Sequence, residues 1–280
     1  MTTSMSMNRM VWKIVVYLLL IAGSAVMLVP FVWMLSTSLK AQWQVFTVPA
    51  TWIPNPIMWE NYVTTFSKLP FGTWTLNTLK ITLIAIAGTL LSCTIVAYGF
   101  ARYRAPGRNF LFIVMLSTMM LPGTVTMIPT FYLFKMFGWM NTYYPLIVPH
   151  FFGAAFFIFL LRQFFMTIPP EMEESARIDG ASTLGILWRI IIPLTVPALI
   201  TVAIFQFNGL WNDFMGPLIY LNKPKLYTLA LGINFFKSQN DTQWNYLMTA
   251  SVVSMLPSLI FFFVGQKYFV QSITLTGLKG

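Results

Sequence analysis

Long uncharged apolar runs dominate the chain, separated by connectors that carry nearly all of its charge. Six runs have uncharged cores, at 15–35, 81–101, 110–134, 141–161, 190–212 and 244–266. A helix needs about 20 predominantly apolar residues to cross the hydrocarbon core of a bilayer. With their flanks, the runs predict transmembrane helices at 12–36, 76–102, 109–134, 143–165, 190–212 and 244–267. The fold expected is all-α: a polytopic membrane protein of about six spans, forming one transmembrane domain over 1–280. Arg9 and Lys13 ahead of the first run imitate a signal peptide. The run is longer than the roughly 7–15 residues of a signal-peptide core and no A-x-A site follows, so a retained helix is expected, with Pro30 a tolerated kink.

Composition supports this solvent assignment. Hydrophobic residues make up 57% of the 280 and charged residues 9%, with mean hydropathy +0.72. Soluble domains carry about 25% charged residues, so lipid is part of this chain's solvent. The formal charge of +10 is scattered between apolar runs, with no basic stripe interleaved with aromatics, which argues against nucleic acid. It reads instead as topology. With the N-terminus inside, Arg9, Lys13, Arg102, Arg104, Arg108, Arg162, Arg177, Arg189, Lys267 and Lys279 fall on the cytoplasmic side. Lys40, Lys68, Lys80, Lys135, Lys223, Lys225 and Lys237 fall outside. Short basic loops set orientation, and the Arg102–Arg108 cluster is the strongest vote for both termini inside. The outer connectors at 36–73 and 213–243 are long and rich in Trp, Pro and Asn. They suit anchoring at the membrane surface or docking of an external partner.

Several chemistries are missing. No G-x-x-x-x-G-K-[ST] phosphate loop occurs, so ATP is not expected to bind this chain in that way. The one histidine, His150, and the one cysteine, Cys93, cannot assemble a metal site or a disulfide by themselves. No clustered nucleophile and base suggest an enzyme. No mid-membrane acidic residues or inverted halves suggest a secondary transporter, the rival reading.

The informative connector is 168–189. Pro169 and Pro170 stop the fourth span. Glu171, Glu173 and Glu174 then fall in the first turn of a new helix, where carboxylates suit the positive dipole end. Gly180 can supply a left-handed C-terminal cap and Ser182 the N-cap of a following helix. The expected product is a short helix, a sharp turn and a second helix projecting from the membrane, a shape that fits a groove on another protein.

This connector resembles the EAA loop of bacterial ATP-binding-cassette importer permeases. The match is Glu174-Ser175-Ala176, three residues, Gly180, nine residues, then Ile190-x-Ile192-Pro193. The family pattern has Ala where Ser175 stands and Leu where Ile192 stands. Trp211-Asn212, Phe71-x-x-Trp74-x-x-Asn77-Thr78 and the 275–280 tail are similar to the carbohydrate, maltose-type branch. The resemblance implies a MetI-like helical core, a bacterial inner-membrane location and a permease that is not itself an enzyme. It also implies three kinds of partner besides lipid: a second permease, two ATP-binding subunits and an extracellular or periplasmic sugar-binding protein. ATP would be used by the partner subunits, with no cofactor in this chain. Coupling to the ATPase would fall to Glu171, Glu174, Ser175, Ala176, Asp179 and Gly180, with the 271–280 tail lying nearby. Polar groups in the fifth span, Asn208 and Asn212 with Trp211, are candidates for the substrate path; helix–helix hydrogen bonding is the other reading of the amides. The cargo expected is a sugar, an oligosaccharide first, with an acidic sugar or sugar phosphate as the alternative that the positive charge allows.

Overall fold

The structure, a computed structural model, describes the backbone of residues 2–237 and 242–277 and the side chains of 9–237 and 242–267. Every regular element among them is helical: α1 (Thr2–Ser38), α2 (Glu60–Lys68), α3 (Phe71–Arg102), α4 (Arg108–Ser117), α5 (Gly123–Met136), α6 (Tyr144–Ile147), α7 (Ala155–Phe165), α8 (Glu171–Ile178), α9 (Thr183–Ile186), α10 (Ile192–Leu194), α11 (Val196–Trp211), α12 (Met215–Tyr220), α13 (Leu229–Ile233) and α14 (Trp244–Gly277).

Four stretches are long and apolar enough to cross a membrane: Arg9–Ser38, Phe71–Arg102, Tyr144–Phe165 and Trp244–Lys267. The expected third and fifth spans are each a bent pair that reaches spanning length only when taken together. Arg108–Met120 and Gly123–Met136 meet at 97°, and Thr183–Leu194 and Val196–Trp211 at 78°. The first bend has a local cause. Pro122 disfavours helical torsions at the residue before it, and Leu121 is extended at φ −79°, ψ 117°. Pro129, by contrast, sits inside α5 without ending it. The second bend falls at Thr195, between Pro193 and Pro197, just beyond a π turn at Leu187–Ile191. Two prolines and a widened turn fall within eleven residues, and the prolines remove two backbone donors; at the bend the Thr195 N–H and hydroxyl both reach back to the Ile191 carbonyl, at 3.0 and 2.9 Å. The helical pair that contains the expected fifth span starts at Thr183, inside the 168–189 connector.

The chain divides into two compact units. One comprises 1–69 and 233–254. The apolar stretch of α1 is exposed on all sides, as expected of a helix bathed in lipid. The interior of this unit is polar. The Asn61 amide donates to the Ser38 and Lys40 carbonyls, both at 2.8 Å, and the Thr249 hydroxyl reaches the Ser38 carbonyl at 3.1 Å. The buried Lys40 ammonium lies 3.8 Å from the centre of the Trp33 ring, which shelters its charge.

The other unit comprises 70–232 and 255–280, and α3 runs through it. A core of Cys93, Ala97, Tyr98, Leu161, Phe165, Ile168, Ala176, Ile186, Leu187 and Val202 joins α3 to α7, α8, α9 and α11. Toward the N-terminal half of α3, a second cluster gathers Ile81, Phe134, Leu146, Tyr220, Leu221 and Leu231. Small residues on α3 allow close approach, the main source of helix association in lipid. A Cβ on Gly88 would come within 2.5 Å of the Phe151 ring, and Cys93 and Ala97 are completely buried.

Candidate coupling loop and transport path

A hydrogen-bonded turn follows α7, and Pro170 opens α8, whose first turn carries Glu171, Glu173 and Glu174. The helix stops in the way its glycine dictates. Gly180 has φ +82°, its N–H bonds the Arg177 carbonyl at 3.0 Å, and the Ala181 N–H bonds the Ala176 carbonyl at 2.9 Å. This pair of bonds is a Schellman cap. Ser182 follows in an extended conformation and its hydroxyl accepts the Gly185 N–H at 3.2 Å, starting α9. The connector is thus a helix, a two-bond turn and a second helix that leads through the π turn into α11.

The residues expected to meet an ATPase divide by face. Glu171, Glu174, Ser175, Asp179 and Gly180 are exposed, and the Ser175 hydroxyl turns back to the Glu171 carbonyl at 2.9 Å. Ala176 faces inward and joins the core. The exposed face also shows large apolar groups: Met172, Leu184, Trp188 and Ile178, the last 87% exposed. Carboxylates interspersed with bare apolar side chains on a short rigid projection have the composition of a contact surface rather than of a solvated loop.

Glu173 behaves differently, and sequence reasoning missed it by grouping it with its neighbours. It is 4% exposed and forms an ion pair with Arg102, Oε1 to Nε 2.5 Å. The Tyr98 hydroxyl donates to Oε2 at 2.9 Å, and the Arg102 guanidinium also donates to the Ile168 carbonyl at 2.8 Å. A buried ion pair repays its desolvation only when further hydrogen bonds complete it, as Tyr98 and Ile168 do here. The available signal was spacing. Glu173 and Ala176 lie three apart on one face of α8, and Tyr98 and Arg102 lie four apart on one face of α3.

The candidate path residues are not equivalent. Asn208 and Asn212 share one face of α11, where the Asn212 amide donates to the Asn208 carbonyl at 2.9 Å. Trp211 is turned inward, 2% exposed and stacked on Phe207 at 5.3 Å between centroids. Phe207 stacks in turn on Phe261 at 4.1 Å, so Trp211 packs within its own unit and lines no open surface there. His150, the one histidine, pairs with Gln206 of α11, a partner that the sequence did not disclose. Gln206 Nε2 and His150 Nδ1 are 2.9 Å apart, and the Ser92 hydroxyl donates to the His150 carbonyl at 3.2 Å. Beyond the end of α11, Asp213 accepts the Gly216 N–H at 3.1 Å, and burial raises its carboxyl pKa while backbone hydrogen bonds oppose the shift. Among the described residues no group of His, Cys, Asp and Glu could hold a metal ion.

Helices long and apolar enough to cross a bilayer, joined in part by an exposed acidic helix–turn–helix, define a polytopic membrane subunit. Residues 91–275 match the family described as the binding-protein-dependent transport system inner membrane component. The chain is 32% identical over 273 residues to the arabinooligosaccharides transport system permease protein AraQ of Bacillus subtilis, covering 96% of this chain and 97% of that one. It is 31% identical over 275 residues to the sn-glycerol-3-phosphate transport system permease protein UgpE of Yersinia pestis, covering 95% and 97%. Its fold superposes on a chain of a bacterial ABC transporter involved in import of the acidic polysaccharide alginate, with TM-score 0.82 and 25% identity over 92% of this chain and 96% of that one. The chain belongs to the family of binding-protein-dependent transport system inner membrane components. It is an ABC importer permease of the inner membrane, and not an enzyme.

Proposed function

We propose that this permease forms half of the translocation path of a sugar importer and pairs with a second, homologous permease. Two ATP-binding subunits dock on the cytoplasmic side, and a soluble sugar-binding protein delivers the cargo from outside. The chain acts as one permease domain crossing the bilayer six times with both termini cytoplasmic, which puts the 168–189 connector beside the ATPase. The observation that carries this reading is the connector itself: a capped helix–turn–helix whose carboxylates and bare apolar groups face outward while Glu173 and Ala176 lock it to the helices behind. Glu171, Glu174, Ser175, Asp179 and Gly180 provide the contact and the turn, and Ala176 the footing. Asn208 and Asn212 border the path, with Trp211 packed beside them on Phe207 to hold that end of the helix.

The named cargoes of the relatives support a carbohydrate: arabinooligosaccharides in one, alginate in the transporter of like fold. An anionic cargo is the second reading, favoured by the phosphate in the UgpE substrate, the acidic nature of alginate and the +10 charge here. The experiment is purification of the chain from its native membrane followed by calorimetry on the binding protein that stimulates the complex. Recovery of a second permease and an ATPase, with the binding protein taking a neutral oligosaccharide, supports the first reading. A binding protein selective for an acidic sugar or sugar phosphate selects the second. Recovery of the chain alone, with no ATPase, contradicts both.

A further inference from the structure

We propose that α3 is a two-ended strut that ties the coupling helix to the 224–229 segment, so that a displacement of α8 reaches that segment without passing through α11. The inference rests on the coupling role proposed for α8. At its C-terminal end α3 holds α8 through Tyr98, Arg102 and the buried carboxylate of Glu173. At its N-terminal end it holds the other segment by a second set of bonds. The Trp74 indole N–H donates to the Pro224 carbonyl at 2.8 Å. The Asn77 amide donates to the Lys225 and Tyr227 carbonyls, both at 3.0 Å. The Thr78 hydroxyl accepts the Leu229 N–H at 2.8 Å. Trp74 is almost wholly buried, and a Cβ on Gly232 would strike its ring, so the segment is seated on α3 as well as bonded to it.

Between the two clasps the helix has no proline, and its 32 residues form one continuous element. At 1.5 Å rise per residue, Trp74 and Arg102 are separated by about 42 Å, more than the hydrocarbon thickness. An unbroken helix clasped at both ends moves as a body, whereas α11 is separated from α8 by a π turn and a 78° bend. A bent, proline-flanked route absorbs displacement that a straight one passes on. Differential contact at both ends is what coupling between distant sites needs.

The test is a double-mutant cycle in the assembled complex, reading the ratio of ATPase activity with and without loaded binding protein. Glu173→Gln opens one clasp and Asn77→Leu the other; Tyr98→Phe and Trp74→Phe are milder forms, each removing one hydrogen bond. Either clasp alone is expected to lower the ratio at least about fivefold, the lower end of a typical allosteric coupling. Opening both is expected to do no more than opening one, because the route is already cut. The exchange Arg102→Glu with Glu173→Arg is expected to recover part of the ratio lost in Glu173→Gln. Losses that multiply, or an unchanged ratio in complexes with full ATPase content, overturn the strut. If the stronger variants fail to assemble, the Tyr98→Phe and Trp74→Phe cycle decides by the same criterion. The docking role of α8 is tested separately by ATPase retention in Glu174→Lys, so failure of one reading is distinguishable from failure of the other.

Discussion

Gly180 offers a clean test of the connector because its cost can be separated into its causes. Its φ of +82° lies where L side chains are strained. A Cβ built on it meets nothing within 4 Å, so no clash adds to the backbone cost. The penalty for a residue with a Cβ is therefore conformational, about 1–2 kcal/mol. A β-branched residue belongs at the upper end, because it resists positive φ most strongly. At 1.4 kcal/mol per decade, that is roughly a 5- to 30-fold shift away from the Schellman turn. Losing the turn releases the Arg177 and Ala176 carbonyls and frees α9 to take another direction. Gly180→Val is expected to insert normally but to lose most cargo uptake in membrane vesicles. Gly180→Asn, whose side chain tolerates the left-handed region, is expected to keep most of it. Equal losses in the Val and Asn variants would show that surface contact, not backbone geometry, is what Gly180 supplies. Normal uptake in Gly180→Val would refute the turn's role.

Glu174→Lys places a cation on an exposed face that carries Glu171 and Asp179, and is expected to lower ATPase co-purification at least about tenfold at low salt while leaving membrane insertion intact, as reversal of an interfacial charge costs affinity and on-rate; quantitative blotting of the purified complex measures it. Asp213→Asn is expected to keep the cap on Gly216 and to remove a pH dependence. The wild-type carboxyl has a folded pKa raised by burial, so its contribution to stability is complete below the unfolded value and falls as pH rises through the folded one. Melting curves between about pH 4 and 8 should show this decline in the wild type and its absence in Asp213→Asn.

Particular residues show what the sequence discloses and where it stops. Spans α1, α3 and α14 were legible because an uncharged run of some 20 residues has few alternatives in water. The turn at Gly180 and the cap at Ser182 were legible because both depend on local chemistry. Pro122 and Pro129 lie in the same apolar run, yet the bend falls at Pro122 and Pro129 is carried inside α5. Whether a proline breaks a helix or is carried within it depends on neighbouring helices as well as on the ring itself. Glu173 was opaque for another reason. Three carboxylates in one first turn look equivalent to a dipole argument, and the partner that distinguishes the middle one, Tyr98, lies 75 residues earlier. Trp211 lies only three residues from Asn208, so spacing could not show that its ring is buried against Phe207 while Asn212 stays exposed.

The central claim is that the 168–189 connector is the cytoplasmic contact with an ATPase. A cysteine at Ile178, the most exposed large residue of α8, tests it directly, and the native Cys93 is buried and will not compete. With a short bifunctional thiol reagent in the assembled complex, the account predicts a cross-link from position 178 to the ATP-binding subunit and protection of that cysteine from a membrane-impermeant reagent added outside. Labelling from outside intact cells, with no cross-link to the ATPase, would contradict both the topology and the coupling role.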